Sequence, residues 1–314
     1  MRVTSSLTKA LKPTAVALGN FDGVHRGHQQ VIQPVIKNQG ESASTEKTVS
    51  TVVTFNPHPQ EFFTGKRRSL LTPQSEKVEQ LQRLGVEQLI LLPFDRELAC
   101  LSPQEFVEQI LVQQLRSQSI SIGQDFCFGK QRTGTATDLK AISSNFGIPT
   151  TIVPLHTCQG ERISSSAIRQ ALEQGNLDRA KSLLGRAYSL AGTVVAGKQL
   201  GRTIGFPTAN IALPTEKFLP SHGVYAVKVF LADDKLPVAG VMNIGNRPTV
   251  NGTNQSVEVY LIDWSGDLYG KAISLELEQF LRPEQKFESL EALKNQIKID
   301  CDRAKATLET PRSL

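Results

Sequence analysis

Apolar and polar positions along the chain follow two rhythms. In residues 14–185, short runs rich in β-branched residues alternate with segments whose apolar positions recur at helical spacing. Thr14–Leu18, Val49–Phe55, Glu87–Leu92, Ser119–Ile122 and Pro149–Val153 read as strands. Gly27–Ile36, Pro73–Leu84, Pro103–Leu115 and Ala136–Phe146 read as the helices between them. Ser102 before Pro103 is a start signal, because a serine hydroxyl caps free N–H groups and a proline needs no N–H at the first helical position. This alternation predicts an α/β domain with a parallel, Rossmann-like sheet, whose ligands bind beyond the carboxyl ends of the strands.

From about Tyr188 the rhythm changes. Ser189–Ala196, Val224–Phe230, Val238–Asn243, Ser256–Ile262 and Ala272–Glu278 read as strands separated by Gly, Pro and Asn turns, and Ser289–Thr307 as one long helix. The pattern predicts a small antiparallel β-barrel with a C-terminal helix. The change falls after a helical hairpin carrying Gly175, near Gly185–Ala187, which sets expected domains of 1–186 and 187–314. The polar stretch Asn38–Thr48 reads as a loop or helix end.

Composition narrows the function classes. The chain has 314 residues, 39% of them hydrophobic, enough for two cores. Of 35 basic and 30 acidic side chains, 21 and 16 lie at or before Arg186 and 14 and 14 after it, so the whole excess of +5 sits in the first part. Such an excess can steer an ATP-like anion but is thin for a duplex-binding stripe, so no nucleic-acid partner is expected. The tight cluster Lys66-Arg67-Arg68 reads as a loop that is solvated or phosphate-facing. No apolar run approaches the ~18–20 residues of a membrane span, and Met1 to Pro13 lacks a signal-peptide core. Cys100, Cys127, Cys158 and Cys301 are scattered and read as reduced thiols, so a cytoplasmic protein is expected.

The chemistry concentrates after strands. Gly19-Asn20-Phe21-Asp22-Gly23-Val24-His25-Arg26-Gly27-His28 joins the first strand to a helix. Glycines there let backbone approach a phosphate, and the free N–H groups of the helix start favour an anion. His25 and His28, three apart, can face one side of the first turn and donate to a triphosphate as charge builds on leaving pyrophosphate. Ile163-Ser164-Ser165-Ser166-Ala167-Ile168-Arg169 pairs helix-capping serines with an arginine suited to phosphate. Thr54-Phe55-Asn56-Pro57-His58-Pro59 presents Asn56 and His58 on a stiff loop, and Gly123-Gln124-Asp125-Phe126-Cys127-Phe128-Gly129 follows another strand.

In the second half, Gly192, Gly197, Gly201 and Gly205 lead into Gly205-Phe206-Pro207-Thr208-Ala209-Asn210, where Thr208 and Asn210 offer a hydroxyl and an amide oxygen to a hard cation. Glu258 is the one acid in the alternating strand Val257–Leu261. It either faces solvent on the outer face or, in a closed site, acts as base toward a hydroxyl nucleophile. No P-loop and no protein-kinase motif set occurs.

The H-x-G-H loop and I-S-S-S-x-I-R resemble the paired signatures of the nucleotidyltransferase superfamily. Together with T-F-x-P-H-P, G-x-D-F-x-F-G, G-F-P-T-A-N, G-V-Y-A, N-I-G-x-R-P-T, V-E-V-x-L, L-Y-G and L-R-x-E-x-K-F, in that order over essentially the whole chain, they resemble the bacterial riboflavin kinase/FMN adenylyltransferase (FAD synthetase) family. The resemblance implies two ATP-dependent activities: phosphorylation of riboflavin to FMN by the barrel, then adenylylation of FMN to FAD with release of pyrophosphate by the α/β domain. It implies Glu258 as general base, and Thr208 and Asn210 as holders of Mg²⁺ and the ATP phosphates beside Gly205 and Pro207. It implies His25, His28, Ser165 and Arg169 as stabilisers of adenylyl transfer. Gly19, Asn20, Phe21, Asp22, Gly23, Asn56, His58, Gly123, Asp125 and Ser164 would shape the nucleotide and flavin pocket. Cys127 and Tyr260 depart from residues common in the family, which touches flavin affinity only. A homo-oligomer is left open; the runner-up is a single-activity FMN adenylyltransferase whose barrel only binds flavin, and the other classes are a nucleic-acid-binding protein and a flavin-binding protein without turnover.

Overall fold

The runs read as strands in the first rhythm all lie in one parallel sheet. A computed structural model of the chain describes residues 1–37, 46–197, 200–231, 236–249 and 252–309, so most of the polar stretch Asn38–Thr48 lies outside the described residues. By packing the chain divides into two compact units, Met1–Ser165 and Ser166–Leu314.

In the first unit, β1 (Arg2–Thr4), β2 (Thr14–Leu18), β3 (Val49–Asn56), β4 (Gln88–Pro93), β5 (Ser117–Gly123) and β6 (Thr150–Val153) stand in the order β1-β4-β3-β2-β5-β6. Every pairing is parallel. Successive side chains of a strand point to opposite faces, and helices cover both, so β2 is buried throughout and apolar after Thr14. Ala15 and Ala17 pack with Val31, Ile32 and Val35 of helix Arg26–Lys37. Val16 and Leu18 pack with Phe106, Val107 and Leu111 on the other face. The chain builds β2, β3 and β4 to one side, then crosses to place β5 on the other side of β2. That reversal opens a crevice at the carboxyl end of β2.

Ser102 caps helix Pro103–Glu105 as expected: its hydroxyl accepts from the Glu105 N–H at 3.2 Å, and the Glu105 carboxylate accepts from the Ser102 N–H at 2.8 Å. The single helix read from the pattern widens into π turns over Phe106–Gln114. Edge strand β1 and the hairpin of β7 (Thr157–Cys158) and β8 (Glu161–Arg162) are too short to show a period.

The second unit is a closed antiparallel barrel. Its strands β9 (Tyr188–Val195), β10 (Ala209–Ala212), β11 (Gly223–Leu231), β12 (Val238–Thr249), β13 (Gly252–Leu261) and β14 (Ala272–Arg282) follow the order β10-β13-β12-β11-β14-β9. Tyr225, Met242 and Val259 meet as cross-strand partners and are fully buried inside. The alternate residues Val224, Ala226 and Val241 face outward, against Cys301 and Ala304 of helix Leu290–Glu309. β10, four residues long with one of them buried, was not legible as a strand.

Helices Ser165–Glu173 and Leu177–Leu184 form the expected hairpin, with Gly175 at φ 68° between them. Lys181 of the second helix and Lys228 of β11 both reach the nearly buried Glu278 of β14 at 3.2 Å. Burial pushes the Glu278 carboxyl up, but the two ammonium groups outweigh it and hold the carboxyl below its ordinary range. These bonds tie the hairpin to the barrel. The packing division therefore falls at Ser165–Ser166, while the change of sequence rhythm falls at 186–187.

Candidate active sites

The loop after β2 is held in a strained shape. Phe21 and Val24 have φ of 48° and 43°, and for a β-branched valine that conformation is rare. Such residues cost of order 1–3 kcal/mol each and persist only where surroundings enforce them. Here the enforcement is visible. Val24 is buried, and its carbonyl accepts from Gln29 Nε2 at 3.1 Å. The Gly23 N–H donates to Thr72 Oγ1 at 2.9 Å, and Asp22 Oδ1 accepts from the Thr72 N–H at 3.2 Å. The Asn20 carbonyl accepts from Thr54 Oγ1 at 3.2 Å and from Lys77 Nζ at 2.9 Å.

The loop delivers His25 and His28 as a stacked pair, ring centroids 3.6 Å apart and planes within 13°. His25 Nδ1 accepts from the His28 N–H at 3.2 Å, which fixes its ring at the helix start. Gly27 leaves room for it: a Cβ there would stand 3.3 Å from the His25 ring. Phe21 meets His28 edge-on at 5.3 Å. Burial first, then the neighbouring His25 and Lys77, push the His28 pKa well below its ordinary value, so the ring is neutral near pH 7. Its Nδ1 is buried with no hydrogen-bond partner, an orphaned polar atom at the helix start.

Ser165 joins this loop, its Oγ donating to the Asp22 carbonyl at 2.8 Å. His58 caps helix Pro59–Thr64: its Nδ1 accepts from the Gln60 N–H at 3.0 Å, and its Nε2 lies 2.8 Å from Arg68 Nη1. Burial and that guanidinium lower its pKa to about 4. Arg68 of the basic cluster thus faces His58, whereas Lys66 and Arg67 are exposed. Asn56 ends β3 and is exposed. Asp125 forms a surface ion pair with Arg162, while Phe128 of the same motif is buried against Phe106. Arg169 lies in the second unit, its guanidinium 5.6 Å over the Phe218 ring.

The barrel's candidate residues meet on its outer face. Glu258 of β13 is opposite Asn210 of β10 and Asn243 of β12, so the three side chains share one face. Thr208 Oγ1 donates to Glu258 Oε2 at 3.3 Å. Glu258 thus lies on the outer face of the barrel, half-buried rather than free in solvent. Phe206 crosses Tyr260 at 5.4 Å, and the glycines explain how the chain fits: a Cβ on Gly197 would stand 2.1 Å from Asn210 Nδ2. Beyond Asn243, whose Nδ2 donates to Glu284 Oε1 at 3.2 Å, the face continues into the loop after β14.

Two family models divide the chain as these sites do. FAD synthetase matches residues 7–167 and riboflavin kinase residues 184–308. The bifunctional riboflavin kinase/FMN adenylyltransferase of Escherichia coli K12 is 43% identical over 91% of this chain and 90% of its own length. That of Haemophilus influenzae is 40% identical over 98% of both. The chain belongs to the bifunctional riboflavin kinase/FMN adenylyltransferase family. It is an enzyme of flavin cofactor synthesis, with one module for riboflavin phosphorylation and one for FAD synthesis. Its fold is shared with the crystal structure of a macrolide-efflux protein from Streptococcus pneumoniae, at 31% identity and a TM-score of 0.86 over 96% of this chain and 98% of that one. Among the described residues no helix is long and apolar enough to cross a membrane.

Sequence reasoning missed Thr54, Thr72 and Lys77, the supports of the H-x-G-H loop. Thr54 lay inside a quoted motif but carried no role there. Lys77 sits in an amphipathic helix, where a lysine ordinarily reads as solvated. Asn243 and Glu284 were quoted within motifs, and only strand register brings them beside Glu258.

Proposed function

We propose that the two reactions run on the two residue sets just described, with functional modules at 1–186 and 187–314. The observation that carries the adenylyl-transfer assignment is the stacked His25–His28 pair, with its orphaned Nδ1, at a helix start beside Ser165. A phosphate oxygen of FMN attacks the α-phosphorus of ATP in line. The new P–O bond forms as the bond to the β-phosphate oxygen breaks, and pyrophosphate leaves. The imidazoles of His25 and His28, fixed at the helix start, donate to the charge that builds on the leaving group, without reorganising as it appears. Arg169 adds a fixed positive charge to the same phosphates, and Ser164, Asn56, His58, Gly123 and Asp125 shape the nucleotide and flavin pocket.

In the kinase module Glu258 takes the proton of the ribityl 5′-hydroxyl as its oxygen attacks the γ-phosphorus, whose bond to the β–γ bridging oxygen breaks to release ADP. Thr208 and Asn210 would hold Mg²⁺ together with the ATP phosphates. The donor set fits that ion: a hydroxyl, an amide oxygen and a single carboxylate are hard ligands. Among the described residues no group of three or more His, Cys, Asp or Glu could hold a metal. Mg²⁺ is usually bound this way, by few protein groups with phosphates and water completing the shell. When bound it neutralises phosphate charge, and positioning does most of the rest.

The partners are riboflavin, FMN and ATP, without nucleic acid or membrane. The four free thiols support a reducing, cytoplasmic setting. Chromatography of flavins after incubation with riboflavin, ATP and Mg²⁺ should show FMN and then FAD. Replacement of Mg²⁺ by a chelator should stop both, and FMN formation that survives chelation would remove Thr208 and Asn210 from the metal role.

A further inference from the structure

Lys77 is a lysine in an unusual position. It belongs to helix Gln74–Arg83, yet only 9% of its surface is exposed. Removing an ammonium from water costs several kcal/mol unless its charge and its three donors find partners. Among the described residues its one hydrogen bond is to the Asn20 carbonyl, so two of three donor positions are unsatisfied by protein. Holding a backbone carbonyl does not require a charge, since the neutral hydroxyl of Thr54 holds the same oxygen. The position of the charge is informative. It acts on both His28 and His58, which come from two different loops at the carboxyl ends of β2 and β3. Asp22 favours its charged form against the effect of burial. A buried cation with spare donors, beside an orphaned imidazole nitrogen at a helix start, is arranged for a polyanion.

We propose that Lys77 is a phosphate-binding residue of the adenylyl-transfer site, its ammonium donating to the polyphosphate of the bound nucleotide and to the pyrophosphate that leaves. The Asp22 carboxylate acts on this charge, and the phosphates of the nucleotide supply the acceptors for its spare donors. This rests on the H-x-G-H loop being the adenylyl-transfer site. Until ATP binds, the spare donors keep the loop's anion site vacant of protein acceptors; on binding, Lys77 links the phosphates to the Asn20 carbonyl and so to the strained turn that carries the histidines.

The test uses the full-length enzyme, whose kinase reaction reports on folding in the same tube. Lys77→Gln should weaken inhibition of FAD formation by pyrophosphate by roughly 10–100-fold, the range of a lost hydrogen bond to a charged group. Inhibition by adenosine, which has no phosphate, should change less than about twofold, and Lys77→Arg should restore most of the pyrophosphate affinity. Unchanged pyrophosphate inhibition in Lys77→Gln would overturn the proposal. So would equal weakening of pyrophosphate and adenosine, which marks a purely structural lysine, or an arginine variant as weak as the glutamine one. His28→Ala separates the two readings. If it makes FAD at the normal rate, the site itself is misassigned; if it does not and Lys77→Gln behaves as wild type, Lys77 alone is.

Discussion

Replacing Asp300 by alanine should unfasten the loop beside Glu258, the proposed kinase base. Asp300, 1% exposed on helix Leu290–Glu309, receives three bonds from Arg282: Nε at 3.1 and 3.0 Å, and Nη2 at 2.8 Å. Gln296 adds a fourth at 2.9 Å. The Arg282 side chain is itself only 15% exposed. Removing one partner of a buried pair strands the other, at a cost of about 3–5 kcal/mol. Arg282 lies near enough to the surface for water to reach it, which favours the lower figure, about 3 kcal/mol. In a unit of this size each kcal/mol moves the unfolding midpoint by about 2–4 °C, so the loss is about 6–12 °C. Function should follow, because Arg282 ends β14 and the next residues carry Glu284 to Asn243, which is opposite Glu258. Calorimetry and kinase activity after graded heating measure the first effect; the KM for riboflavin, expected to rise with FAD formation from supplied FMN unchanged, measures the second. As a control, Glu79→Ala breaks the exposed Arg83–Glu79 pair, worth at most about 0.5 kcal/mol. A midpoint shift in Asp300→Ala no larger than in that control would refute the reasoning.

Further outcomes follow from other contacts. Gly197→Ala puts a Cβ into the Asn210 amide and should cut FMN formation by roughly 10²-fold, the scale of a 1 Å misplacement, while FAD formation from FMN persists; equal loss of both activities would contradict it. His58 should titrate at about 4 by NMR. Because its folded-state pKa lies below the unfolded value near 6.5, the unfolded chain binds the proton first, and stability contributed by the neutral ring is lost as pH falls from about 6.5 toward 4. His58→Gln should flatten that part of the pH–stability curve, and a His58 titration near 6.5 would rule the effect out. Glu278→Ala should loosen the hairpin that Lys181 anchors, seen as faster amide exchange over 177–184; unchanged exchange there would assign the anchoring to apolar packing alone.

Most strands were legible because their chemistry is local. β2 is five buried apolar or small residues in a row, a pattern that only a doubly covered strand explains. β10 was not legible, since a four-residue strand with one buried side chain has no period, yet it closes the barrel and carries Asn210. The same limit hid Lys77. Nothing in its helix distinguishes it from a solvated lysine until β3 and the loop after β2 close over it. Glu258 was left open between two faces because alternation fixes parity but not which side another element covers. Register puts it on the face of Asn210, with a hydrogen bond from Thr208. Arg169 read as part of the H-x-G-H chemistry from its motif alone, and its helix packs with the barrel unit.

The most direct test of two separate sites in one chain is the flavin product profile of two single variants, each supplied with riboflavin or with FMN, plus ATP and Mg²⁺. Glu258→Ala should make no FMN from riboflavin yet convert FMN to FAD near the normal rate, and His28→Ala should make FMN at the normal rate and stop there. Loss of both activities in either variant, with its fold intact, would contradict the assignment.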